Sequence, residues 1–494
     1  MSSIDRRTLL RTGLAVSGMG LLAACAPSST KPRWILPTDA RVKAAEAARR
    51  TTGRTHAFTL SAVSGRVDLG GPTVTTWTYG GALPGREIRV RAGDIVEVRL
   101  TNHLPADTTV HWHGLTLRND MDGAPDLTQS TVKHQQTFTY RFIAENPGTY
   151  WFHPHTGVQL DRGLYAPLIV EDAAEPGAYD HEWTVVLDDW IDGTENTPDQ
   201  VLSMLRQGMG GMSGMDGMDM GPMLMGATSD LLGGDAGDVK YPHYLINGRV
   251  AAAPATFRAR PRQRVRLRII NAGSDTAFRI ALGGHRMRVT HTDGFPVVPV
   301  DTDALLVGMG ERYDAVVTLD DGVFPLTALA EGKKSAGMAL IGTGSGSRPS
   351  PSARPRQLNE KVLRYTDLKP ADRVRLPSKN PDVEHRLDLT GSMTRYDWGI
   401  NGHPYDPARP LPIRTGQRVR VTFRNRTTMW HPMHIHGHTF QVNGTGPRKD
   451  TVIVLPNQTV TCDFDADNPG QWMTHCHNAY HLEAGMMTVL GYRT

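Results

Sequence analysis

Polar and apolar residues alternate through Glu87-Ile88-Arg89-Val90-Arg91 and again through Ile95-Val96-Glu97-Val98-Arg99-Leu100. That is the period of a strand with one face in a core. Beyond a short Ala-rich stretch from Ala40 to Arg50, no comparable segment carries a long helical period. The chain reads as strands punctuated by turns, an all-β protein.

The alternating pattern recurs. Arg91-Ala92-Gly93 leads through Val96 and Val98 to Asn102, Arg260-Pro261-Arg262 through Val265 and Leu267 to Asn271, and Arg414-Thr415-Gly416 through Val419 and Val421 to Asn425. At one fixed interval after these asparagines come His111-Trp112-His113-Gly114, Ile280-Ala281-Leu282-Gly283 and His434-Ile435-His436-Gly437. A later repeat agrees: Asn146-Pro147-Gly148 precedes His153-Pro154-His155 as Asn468-Pro469-Gly470 precedes His475-Cys476-His477, whereas Asp321-Gly322 leads to Thr327 and Leu329. Self-similarity of this kind predicts three related β-units, the middle one apolar where its neighbours carry histidines. The expected boundaries are an export signal at 1–25, a tether at 26–50, a first unit at 51–172, a second at 180–341, a Gly/Ser/Pro/Arg linker at 342–356 and a third unit at 357–494.

Length and composition support this division. A chain of 494 residues accommodates roughly three domains with their own cores. The 51 glycines and 33 prolines suit many short strands. The net charge of +4 is spread along the chain, which excludes the clustered basic face of a nucleic-acid binder.

The N-terminus reads as an address. Arg6-Arg7 before Thr8-Leu9-Leu10 resembles a twin-arginine export signal, and the apolar run from Gly13 to Ala24 is too short to span a bilayer. Leu22-Ala23-Ala24-Cys25 looks like a lipobox, so Cys25 is expected to carry lipid and anchor an exported protein on the outer face of the membrane. Of the 3 cysteines, Cys25 and Cys476 then have roles, and Cys462 reads as core filler. That leaves no disulfide framework.

The chemistry concentrates at His475 to Met486. A trigonal His₂Cys site with a weak thioether is an electron-transfer copper arrangement, and Cys476, His481 and Met486 supply three of the four groups. Successive side chains of a strand face opposite ways, so His475 and His477 share one face while Cys476 points to the other. The four His-x-His pairs give eight imidazoles: His111, His113, His153, His155, His434, His436, His475 and His477. Eight neutral nitrogens beside a Cys/His/Met site fit a copper cluster better than closed tetrahedral zinc sites.

These segments, with His431-Pro432-Met433-His434, resemble the four copper signatures of the multicopper oxidases: laccases, ascorbate oxidases, ferroxidases and bacterial copper-tolerance oxidases. The export signal makes the chain most similar to actinobacterial copper-resistance members. The resemblance implies three cupredoxin-like Greek-key β-sandwich domains and four copper ions. It implies that His431, Cys476, His481 and Met486 hold the type 1 copper, His111 and His434 the type 2, and His113, His153, His155, His436, His475 and His477 the type 3 pair, where O₂ is reduced to water. Asp122 matches the acidic position of bacterial relatives and is the expected proton carrier. Glu483 is a second candidate, although Leu482 stands where some relatives have their acid.

An insert within unit two, at 201–238, carries Met204, Met209, Met212, Met215, Met218, Met220, Met223 and Met225 among glycines. Its composition predicts a mobile surface loop whose thioethers take Cu(I) transiently. His103, His134, His243, His285, His291, His403 and His438 fall outside the motifs and read as ordinary surface or packed histidines. The favoured activity is oxidation of Cu(I) to Cu(II) for copper tolerance, with phenols and Fe(II) as side substrates. A laccase acting mainly on phenols and a copper-sequestering protein without turnover are the alternatives.

Overall fold

A computed structural model of the chain describes residues 33–175, 177–208 and 221–494. The export signal, with Cys25, lies outside them. Trp34–Thr494 form one compact unit built almost wholly of strands. No helix among the described residues is long and apolar enough to cross a membrane.

Six sheets of four to seven strands make three successive sandwiches, each cupredoxin-like. In the first, Thr55–Asp68, Thr73–Tyr79, Asp94–Asn102 and Thr137–Ala144 face a sheet of Ile88–Arg91, His111–His113, Gly148–His153 and Ala166–Glu171. The alternation noted at Asp94–Asn102 appears as alternating burial along that strand, and Val96, Val98 and Leu100 meet Trp112, Tyr150 and Phe152 in a shared core. Trp112 explains why His111 and His113 stay put. It turns inward between them, with ring centroids 5.5 Å from Tyr140 and 5.0 Å from both Phe142 and Phe152. Truncating such a side chain costs about 3–5 kcal/mol.

The middle sandwich repeats the plan with Ile280 and Leu282 where its neighbours carry paired histidines. Phe278–Leu282 pairs with Val323–Ala330, setting Ala281 opposite Thr327, as Trp112 stands opposite Phe152 in the first sandwich and Met433 opposite Cys476 in the third. Val362–Leu363 adds a strand to this middle sandwich by pairing with Ala304–Val307, so the chain leaves it later than the Gly/Ser-rich 342–356 segment suggests. One continuous core runs through the second and third sandwiches.

The insert is not a loop throughout, as its glycines suggested. Its first residues belong to a helix, Pro198–Arg206, closed by a capping box: the Thr197 hydroxyl accepts from the Gln200 backbone N–H, and the Gln200 side chain accepts from the Thr197 N–H at 2.8 Å. Val201, Leu202 and Leu205 bury its inner face. The far end returns as a hairpin in which Leu224 N–H reaches Asp238 O at 2.8 Å and Thr228–Ser229 pairs with Gly234–Asp235. Met204 is half-buried, Met223 buried and Met225 exposed. Met209, Met212, Met215, Met218 and Met220 lie outside the described residues.

Candidate metal centre

The strand Gln471–Cys476 carries the arrangement that alternation predicts. His434 stands opposite His475 in one sheet of the third sandwich, and His111 opposite His153 in one sheet of the first. The two sandwiches therefore present their His-x-His pairs to one another. Five groups of donor atoms result, each within 4.8 Å: His111, His113 and His434; His113, His153 and His477; His155, His436 and His475; His111, Asp122 and His436; and, separately, His431, Cys476 and His481. The Cys476 sulfur lies 3.7 Å from His431 Nδ1 and 3.6 Å from His481 Nδ1. Met486 is fully buried, and its backbone oxygen accepts the Cys476 N–H at 3.0 Å, which holds it against this group.

The outer hydrogen bonds tell which ring nitrogens are left for metal. His475 Nδ1 donates to Cys476 O at 2.8 Å and His436 Nδ1 to Asp122 Oδ2 at 2.9 Å. With each Nδ1 donating, each neutral ring keeps a bare Nε2. Those two Nε2 atoms face each other at 3.0 Å, lone pair against lone pair, an arrangement that a bound cation relieves. His481 Nε2 donates to Asp238 Oδ2 at 3.0 Å and His431 Nε2 to Thr427 Oγ1 at 2.8 Å, so their Nδ1 atoms, 3.1 Å apart beside the thiol, are the ones turned to a metal. His111 Nε2, His153 Nε2, His434 Nε2 and His477 Nδ1 are buried with no partner. Buried polar nitrogens are seldom left so. Imidazoles oriented from their second nitrogen are what a metal centre requires. The donor set fits transition-metal ions, held by imidazole groups on one side of the strand and by a sulfur-containing group on the other.

Electrostatics favour the neutral, ligating form. Burial, and then neighbouring imidazoles, hold His113, His153, His155, His431, His436, His475 and His477 well below the usual histidine range. At His481 burial is outweighed by the Asp238 carboxylate and Cys476, and the metal-free pKa is raised to about 10. A proton leaves there when metal enters.

Asp122 is fully buried between two of the rings, bonded to His436 as above, with its backbone oxygen accepting from His111 Nδ1 at 2.9 Å. Glu483 lies elsewhere. Among the described residues its charged neighbours are Arg206 and Asp199, burial raises its pKa, and no hydrogen bond joins it to the eight imidazoles. His438, read as a packed histidine, is buried with Nδ1 donating to His436 O and Nε2 2.7 Å from the Tyr492 hydroxyl.

Three supporting residues had no local signal in the sequence. Asp450 accepts from His113 Nε2 at 3.1 Å, and its backbone oxygen accepts from His434 Nδ1 at 2.9 Å. Arg312, from the middle sandwich, grips Asp450 through Nη1 at 2.7 Å and Nη2 at 2.6 Å. Burial is outweighed by Arg312, which keeps Asp450 well below the usual carboxylate range. Asp238 is the third, at the end of the insert, where it also accepts from the Tyr396 hydroxyl at 2.8 Å.

Family models described as multicopper oxidase match residues 63–175, 181–344 and 378–493. Multicopper oxidase MmcO of Mycobacterium tuberculosis is 50% identical, with 99% of this chain and 98% of that protein covered. A copper resistance protein A homolog of Pseudomonas syringae pv. tomato is 28% identical, with 98% of each covered. Among solved structures, Fet3p, a multicopper oxidase that functions in iron import, superposes with a TM-score of 0.75 at 22% identity, covering 89% of this chain and 90% of that one. Paired imidazoles on two sandwiches, a sulfur site on the back of one strand and these likenesses agree: the chain belongs to the multicopper oxidase family and is an oxidoreductase.

Proposed function

We propose that the protein oxidises Cu(I) to Cu(II) at the Cys476 site and passes the electrons to an O₂-reducing centre among the eight imidazoles. Four cuprous ions, one O₂ and four protons give four cupric ions and two waters. The observation that carries this reading is the position of Cys476 between His475 and His477, which belong to two different imidazole groups on the far side of the same strand. Four resident coppers would be held as the resemblance implies: type 1 by His431, Cys476, His481 and Met486, type 2 by His111 and His434, and the type 3 pair by the remaining six histidines. Copper supplies the one-electron redox chemistry.

The residues divide the remaining work. His481, tied to Asp238, is the inner end of a route from the insert to the sulfur site. In the hairpin register, exposed Met225 stands one pairing from Asp238, because Leu224 bonds to Asp238, and this favours a soft cation as substrate. Asp122 is the group placed to hold and pass a proton at His436 Nδ1. Asp450 and Arg312 fix the rings of His113 and His434. The export signal and Cys25 would place this activity at the outer face of the membrane, where cuprous ions arrive.

Oxygen uptake with Cu(I), Fe(II) and a phenol tests the reading. Wild type is expected to turn over Cu(I) fastest. Cys476→Ser should lose the intense blue colour and all uptake above background. Replacing Met209, Met212, Met215, Met218 and Met220 together by Leu should slow cuprous oxidation and spare the phenol. Faster turnover of the phenol in wild type would make the protein a laccase, and copper binding without oxygen uptake would make it a store.

A further inference from the structure

Away from the metal centre, the three sandwiches enclose a cleft of about 740 Å³ whose walls carry six arginines against three carboxylates. Most of these charges are already used. Arg266 and Arg268 bind Asp314 at 2.6 and 3.2 Å, with Glu175 and Glu182 as further partners. Arg50 is 3.4 Å from Glu145 and Arg375 2.8 Å from Asp372. Two arginines are left over. Arg373 reaches Asp172 only at 3.9 Å, and Arg448, among the described residues, has no carboxylate within salt-bridge distance.

Arg448 is the informative one. It forms part of the wall between this cleft and a second cavity of about 390 Å³. Nη2 donates to Thr439 O at 3.1 Å and Thr439 Oγ1 at 2.6 Å, and Phe295 lies 5.4 Å beneath the guanidinium. Its Nε–H is buried with no acceptor. Leaving a cation in this condition costs stability, and burial accordingly lowers its pKa.

We propose that this inter-sandwich cleft is a binding site for a small multivalent oxyanion, with Arg448 and Arg373 in its lining. Phosphate and a dicarboxylate share the required chemistry. Copper-loaded protein would be titrated calorimetrically with sodium phosphate and with succinate at low ionic strength, using the blue absorbance to verify that copper stays bound. One site per chain is expected for at least one of them, and the one that binds names the anion class. Arg448→Gln and Arg373→Gln should each weaken binding at least about tenfold. Arg354→Gln, outside the cleft, should leave it within about twofold. The anion should raise the thermal midpoint of wild type but not of Arg448→Gln. Arg373 is half-exposed, so its replacement reads the site even where Arg448→Gln fails to fold. No heat with either anion, or equal affinity in wild type and both cleft variants, overturns the proposal.

Discussion

Replacing Arg312 by Met isolates the contribution of the middle sandwich to a centre that it does not ligate. The guanidinium is fully buried. It makes two hydrogen bonds to Asp450, at 2.7 and 2.6 Å, one to Thr149 O at 3.0 Å and one to Gly310 O at 3.1 Å. Methionine fills most of the volume but abandons a buried carboxylate, and breaking a buried pair from one side costs about 3–5 kcal/mol. In the single compact unit Trp34–Thr494 that lowers the thermal midpoint by roughly 3–5 °C. Asp450 then has only His113 and His434 to neutralise it, so those rings gain protons and lose metal. Calorimetry should show the lower midpoint. Metal analysis should show copper lost from the imidazole cluster, while the blue absorption of the Cys476 site persists. Adding Asp450→Asn should recover part of the stability, since no unpaired charge then remains, without restoring the cluster. If Arg312→Met keeps full copper and an unchanged midpoint, the bridge is not what holds the rings.

Gly310 should tolerate no side chain: its φ is +80°, and an added Cβ would sit 2.8 Å from His477 Cδ2 and 3.0 Å from His113 Cε1. Gly310→Ala is therefore expected to lose cluster copper and oxygen uptake while staying blue, and normal copper content would refute the close approach. For Asp314, burial is outweighed by Arg266 and Arg268, and the pKa falls from the ordinary 3.8 to about 2. Its contribution, about 2 kcal/mol, is present above the unfolded pKa and lost as pH falls from about 3.8 to 2. Urea unfolding of metal-free protein across that range should show a shallower loss of stability in Asp314→Asn than in wild type, and identical slopes would remove the ion pairs from the account.

Strand periodicity and the repeats made much of this legible before any coordinates, because alternation dictates which side chains share a face. His475, Cys476 and His477 sort to opposite sides for that reason alone. Asp450 and Arg312 could not be read in the same way. They stand outside any motif, and their meaning comes from a contact between residues 138 positions apart. Asp238 was hidden differently, inside an insert judged by its glycines, although Thr197-Pro198-Asp199-Gln200 is a helix-start signal that marks ordered chain at the insert's beginning. Glu483 is close in sequence to His481, but a helix turn carries it toward Arg206.

A six-residue strand with sulfur on one side and imidazole on the other also works as a partition. On the proposed reading, donor and oxygen would react in separate chambers, with only charge crossing the backbone between Cys476 and the flanking histidines. Edits around Asp238 and Met225 can then change what is oxidised while the oxygen chemistry behind the wall keeps its geometry.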